Sequence, residues 1–150
     1  AVVEHGRAVG IGSGGAGHFG QIDVGPIGDG ATPGSIIGPD GGRDSLEAYL
    51  GLPALRARFG AELPTRIATL GEHDPALIAL ARAIRIGLAL YTPDRVLLLG
   101  GLGLAFKPLG GRIEAMIRDG LTGVAPRGWT LGFGSSRFHA ARGAARAATP

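Results

Sequence analysis

A chain of 150 residues has the length of one domain, and a hydrophobic content of 45% with mean hydropathy +0.23 excludes a disordered or solvating segment. Fifteen basic residues against twelve acidic ones leave a net charge of +3, scattered from Arg7 to Arg146 rather than gathered on the single cationic face that phosphate-backbone binding needs. The absence of cysteine excludes disulfides and thiolate metal sites, and Arg82 and Arg85 interrupt the longest apolar run before it reaches the roughly 20 residues of a membrane span.

The first residues lack the charged and apolar regions of a signal peptide, so a cytoplasmic location is expected. Val2, Val3, Val9 and Ile11 are strand formers around a Glu4-His5-Gly6-Arg7 turn and predict a hairpin. Residues 25–42 are dense in glycine, proline and aspartate and read as an irregular loop with at most a short strand at 35–37. Asp44 followed by Glu47 resembles a capping box, opening a helical turn with Leu46, Tyr49 and Leu50 on one face and Gly51 at its end. A second helical piece is expected over 53–59, led by Pro53 and stopped by Gly60.

Asp74 and Pro75 supply an N-cap and a pre-set first position for a helix over 76–91. Apolar nearly all round, it is expected to be buried on most sides, with Pro93 and Asp94 stopping it. The run 95–99 reads as a central strand covered on both faces and closing on Gly100 and Gly101. A helix from about residue 108 to 119 follows, with Ile113, Met116 and Ile117 on one side and Gly120 as its stop. Residues 129–133 form another strand, and Ser135 caps a final helix to about residue 147. Such alternation predicts parallel strands joined by crossovers, an α/β domain.

Gly10-Ile-Gly12-Ser-Gly14-Gly15 satisfies the dinucleotide fingerprint formally, but turn and strand signals follow it where a helix must start, so that reading fails. The sole lysine, Lys107, is not in a phosphate-loop context. His5, His18, His73 and His139 show no metal spacing, and His73 and His139 read as surface or packing residues. His18 and Gln21 sit beside glycines in a loop, where a ligand can approach the backbone; a structural role fits them equally. Gly100, Gly101 and Gly103 lie where open α/β sheets bind ligands, and glycine geometry for a strand-to-helix turn explains them as well.

In this order, the segments GRAVGIGSGGAGHFGQIDV, GGRDSLEAYLGLPAL, DPALIALARAIRIGLALYTPDRVLLLGG and GFGSSRFHAARGAARAA resemble the C-terminal lobe of the ROK family (repressor, open reading frame, kinase), within the sugar kinase, actin and Hsp70-like ATPase superfamily. The resemblance covers nearly the whole chain. It implies a ribonuclease-H-like α/β lobe spanning residues 1–150, a mixed sheet begun by the hairpin, with the helices at Asp74, Pro108 and Ser135 packed on it. The family's DxGxT phosphate turn, its catalytic Asp and any winged helix-turn-helix belong to N-terminal parts that these residues do not include, so no catalytic residue is expected here.

Family members read GxxGEIGH where this chain has His18 at the Glu and Gln21 at the His, and Glu47 matches a further sugar ligand. The cysteines of the family's CxCGxxGCxE motif become Gly38, Asp40 and Ser45, so the family zinc, or any other metal or cofactor, is not expected. Gly100, Gly101 and Gly103 fall at the adenosine-side turn. By resemblance, the chain is expected to be the effector-binding and self-association lobe of a sugar-responsive transcriptional regulator. It would bind a sugar or sugar phosphate, form a homo-oligomer such as a dimer, meet DNA only through an N-terminal domain and have no membrane partner. The alternative is the C-terminal lobe of an ATP-dependent sugar kinase of altered specificity, which would also bind ATP.

Overall fold

A computed structural model of the chain describes residues 2–10, 17–139 and 141–143. The predicted hairpin forms: β1 (Val3–Glu4) pairs antiparallel with β2 (Arg7–Ala8) around His5 and Gly6, whose φ values of 49° and 78° give the turn the twist that two-residue hairpin loops require. Among the described residues it remains a two-stranded sheet by itself, which corrects the expectation of one mixed sheet begun by the hairpin. Its strands are two residues long and exposed, so they present no apolar face to dock on anything.

The centre of the molecule is α4 (Pro75–Tyr91), which starts as its sequence predicts: Asp74 Oδ1 accepts from the Ala76 N–H at 2.9 Å and Pro75 takes the first turn. It ends one residue before Pro93, on Thr92, whose left-handed backbone (φ 43°) lets its N–H donate to the Leu88 carbonyl at 3.1 Å. Leu77, Leu80, Ile84 and Leu88 form one flank, packed with Leu55, Ile67, Phe106, Ile113, Ile117 and Trp129. Ala79 and Ala83 lie on the opposite flank, where their small side chains admit Val24, Ile27 and Tyr49, with Phe19 and Ile22 beside them.

Below the first flank, α2 (Leu52–Phe59) ends at Gly60 as expected, in a positive-φ conformation, and α3 (Leu63–Ile67) adds a turn that buries Leu63 and Ile67. Strand β3 (Arg95–Leu98) pairs in parallel with β4 (Thr130–Phe133), Arg95 opposite Thr130 and Leu98 opposite Phe133. The connection runs through α5 (Gly100–Ala105) and α6 (Gly110–Asp119), so the helix expected from residue 108 begins at 110, behind a 3₁₀ turn and a short helix that the sequence did not announce. Ile113 and Ile117 are buried and Gly120 follows α6, as predicted.

The described chain is therefore a mixed α/β structure of helices with two small sheets. Strand β3 is not covered on both faces. Val96, Leu98, Leu131 and Phe133 pack on the core, whereas Leu97 is 47% and Leu99 51% exposed. An apolar run of this length is the same whether one face or two are covered, because neighbours and not composition decide it.

No strand forms at 35–37; Ile37 makes an isolated bridge to Arg43, and Asp23 makes one to Ser45. At the start of the last helix, the Ser136 hydroxyl and not Ser135 accepts from the Phe138 N–H at 3.1 Å. His139, expected to be a surface or packing residue, lies against Gly134 and accepts through Nε2 from the Ser135 and Ser136 N–H groups at 3.0 and 3.3 Å. Residues 11–16, which hold most of the glycine fingerprint, and the end of that helix lie outside the described residues. Among the described residues no helix is long and apolar enough to cross a membrane.

Candidate functional site

The loop from 17 to 45 is held by one buried carboxylate. Asp44 has left-handed backbone (φ 48°) and is 2% exposed. Its side chain accepts from the Gly34 N–H, from the Ile36 N–H at 3.1 Å and from the Tyr49 hydroxyl at 3.3 Å. The Asp44 carbonyl accepts from Val24 N–H at 2.9 Å and Gly25 N–H at 3.1 Å, and a Cβ on Gly25 would stand 2.4 Å from Asp44 Cβ. Asp44 is thus the loop's anchor and not the capping residue that the sequence suggested. Ser45 caps α1 (Leu46–Leu50), its hydroxyl accepting from the Ala48 N–H at 3.2 Å.

This cap places Glu47 in the first turn of α1, half-buried. Its carboxylate lies between two glycines: a Cβ on Gly51 would stand 2.6 Å from Oε1, and one on Gly20 would stand 3.2 Å from Oε2. The same point on Gly20 is 3.4 Å from both Cε1 and Nδ1 of His18. Two of the three predicted sugar-site residues, His18 and Glu47, therefore converge on the bare backbone of Gly20. Gln21 ends the 3₁₀ turn over Phe19–Gln21, exposed, with its N–H donating to the His18 carbonyl at 3.1 Å. No hydrogen bond links these three side chains to one another among the described residues; His18 and Gln21 are exposed and Glu47 is half-buried.

The turn is fixed from below by Phe19, whose ring occupies a notch at Gly87 of α4: a Cβ there would stand 2.9 Å from Phe19 Cζ. Phe19 also lies 6.4 Å, centroid to centroid, from the Tyr91 ring. Phe19 and Gly87 set where His18 and Gln21 can point, and neither had a readable signal except that Gly87 is a glycine inside a helix.

Gly100, Gly101 and Gly103 gather at the carboxyl end of β3, on the other flank of α4. Gly100 takes φ 77° and opens α5. Gly103 is buried, and a Cβ on it would stand 2.6 Å from the Leu98 carbonyl carbon and 2.7 Å from its oxygen. That glycine brings α5 against the backbone of β3, which accounts for it without a ligand; Gly101 is exposed.

The structure does not bring the sugar-site residues and these glycines into one cleft. Two clefts, of 380 and 430 Å³, instead share Arg82 and Arg85 and include none of the six predicted residues. In the sequence these arginines were only interruptions of an apolar run. The signal that could have found them is a pair of charges three residues apart in a helix otherwise too apolar to face solvent.

Among the described residues, no group of three or more His, Asp or Glu side chains could hold a metal ion. The positions that the resemblance gives to zinc-binding cysteines do not fit that metal: Gly38 has no donor atom, Asp40 Oδ1 accepts from the Gly42 N–H at 3.1 Å, and Ser45 caps α1. No protein-family model matches this chain, and neither a curated protein nor a solved structure matches it.

Proposed function

We propose that this chain is the effector-binding and self-association lobe of a ROK-type, sugar-responsive transcriptional regulator, with a ribonuclease-H-like framework built on β3, β4, α4 and α6. The convergence of His18 and Glu47 on Gly20 carries the proposal. A sugar is bound through its hydroxyls, each a donor and an acceptor. The Glu47 carboxylate accepts, and neutral His18 and Gln21 can each donate and accept, so the three together match the hydroxyls of a sugar lying against their outer side. The Asp40 carboxylate and Ser45 hydroxyl both face Gly42, 3.2 and 3.0 Å from the point a Cβ there would occupy, and Asp40 also reaches the Cβ point of Gly38. Positions 38, 40 and 45 thus lie close together around Gly42, which supports the resemblance, although none of the three residues is a cysteine.

Calorimetric titration of the intact protein with hexoses and amino sugars tests the site. At least one sugar should bind, and the pair His18→Ala with Gln21→Ala should weaken it about tenfold or more, the effect of losing hydrogen bonds made in a partly desolvated site. Unchanged affinity in that double variant overturns the assignment. A kinase lobe is the second reading, favoured by the turn at the end of β3, where Gly101 is exposed; ATP turnover stimulated by the bound sugar selects it.

Self-association is supported by the outer face of the β3–β4 pair. Leu97 and Leu99 lie across Gly132 and Gly134, which cover nothing, and Phe138 nearby is 65% exposed. Sedimentation should find the chain associated and the Leu99→Glu variant shifted to monomer. A wild-type chain that stays monomeric at high concentration rejects this part.

A further inference from the structure

Arg82 and Arg85 stand three residues apart on α4 and so share one face. Arg82 Nη1 donates to the carbonyls of Val24 at 2.8 Å and Pro26 at 2.9 Å, and Arg85 Nη1 donates to the Met116 carbonyl at 3.0 Å. Carbonyls orient a guanidinium without neutralising it. Among the described residues neither arginine forms an ion pair; the pairs present are Arg58–Asp74, Glu72–His73 and Arg118–Glu114. Each arginine keeps further N–H donors beyond those on Nη1.

The two charges strain each other. Burial lowers the pKa of Arg85 and the neighbouring Arg82 charge lowers it further, with Asp119 acting in the opposite sense. Two like charges held half-buried and within influence of one another are an arrangement that a doubly charged anion relieves. The space for one exists: both arginines line a 380 Å³ cleft with Asp23 and Ile86, and both line a 430 Å³ cleft with Ile78, Met116 and Asp119. Both clefts are open to solvent, so they offer a surface seat rather than an enclosed pocket. The 380 Å³ cleft sets one carboxylate, Asp23, against the two arginines and keeps an excess of positive charge, whereas Glu72 and Asp119 balance them in the other, so the first cleft is the one that suits an anion.

We propose that Arg82 and Arg85 form a binding site for a small phosphate monoester in the 380 Å³ cleft, its phosphate on their remaining guanidinium donors and its organic part along Ile86. Planar forks match phosphate oxygens in pairs, and the carboxylate of Asp23, in the same cleft, can accept from a hydroxyl on the ester. This site shares no residue with His18, Gln21 and Glu47, so its failure and the failure of the sugar reading are separate results.

The test compares the chain in inorganic phosphate, in glycerol 1-phosphate and in chloride at equal ionic strength, read as the melting temperature and by calorimetric titration. Both phosphates should raise the melting temperature above its value in chloride, the ester more than the inorganic ion. Arg85→Gln should weaken the ester about tenfold. Gly120→Ala offers a second route that keeps both charges: its Cβ would stand 2.4 Å from Arg85 Nη1, at the movable end of that side chain, so the guanidinium must shift while the backbone stays. It too should weaken binding, and it decides the matter if Arg85→Gln fails to fold. No rise over chloride, or binding kept in the folded variants, overturns the site; equal affinity for the ester and the inorganic ion overturns the ligand class.

Discussion

Asp44→Ala should destabilise the chain by about 3 to 5 kcal/mol, since the buried Tyr49 hydroxyl and two part-buried N–H groups lose their acceptor at about 1 to 3 kcal/mol each, the N–H groups at the low end, and alanine tolerates left-handed backbone less well than aspartate. The three donors are the N–H groups of Gly34 and Ile36 and the hydroxyl of Tyr49. Against a total stability of about 5 to 15 kcal/mol for a domain, that loss unfolds a large fraction of the molecules on modest warming. Asp44→Asn keeps one acceptor oxygen and the tolerance of φ 48°, so it should cost clearly less. Urea denaturation of the three proteins checks the order, and an Asp44→Ala loss below about 1 kcal/mol would show that the loop finds other partners.

The same group of side chains sets an alkaline limit. Burial raises the pKa of Tyr49; the Ile27 N–H pulls it back in part, and the charge of Asp44 adds to the rise. The native state therefore holds the phenol proton to higher pH than the unfolded chain, which releases it near pH 10. The stability this gives is complete below about pH 10 and is lost as pH climbs through the native value. Tyr49→Phe should flatten that alkaline decline in denaturation curves measured across it.

Gly103→Ala should cost about 2 to 3 kcal/mol by overpacking. Its methyl would enter the carbonyl group of Leu98, and a backbone atom cannot swing aside as a side-chain tip can. Helix α5 must then lift from β3 and disturb the turn at Gly100. Gly111→Ala in α6 is the matched control: a Cβ there meets nothing within 4 Å, so the better helix former should be neutral or stabilising by up to about 1 kcal/mol. Equal melting temperatures for the two variants would contradict the packing of α5 on β3.

Much of the framework was legible because its signals are local. Asp74 with Pro75, Gly60, the His5-Gly6 turn and the parallel pairing of the last two strands each depend on a few adjacent residues or on the order of elements. Asp44 and Ser45 show where such reading stops. Both are good caps, and the choice fell to Ser45 because the Asp44 carboxylate is claimed by N–H groups at 34 and 36, partners that belong to a loop with no regular pattern. The uncovered face of β3, the role of Gly103 and the unpaired state of Arg82 and Arg85 are likewise facts about neighbours. His18, Gln21 and Glu47 came into view together through family resemblance; no spacing rule would have joined a loop histidine to a glutamate in the first turn of α1.

Helix α4 lends its leucine flank to one hydrophobic cluster and its alanine flank to the other. Neither cluster can open to water without removing a wall of the other, so local fluctuations have no small unit to release. Amide protons in the middle of α4 should then exchange with solvent only when the whole molecule opens, and later than those of the hairpin, whose two-residue strands are exposed.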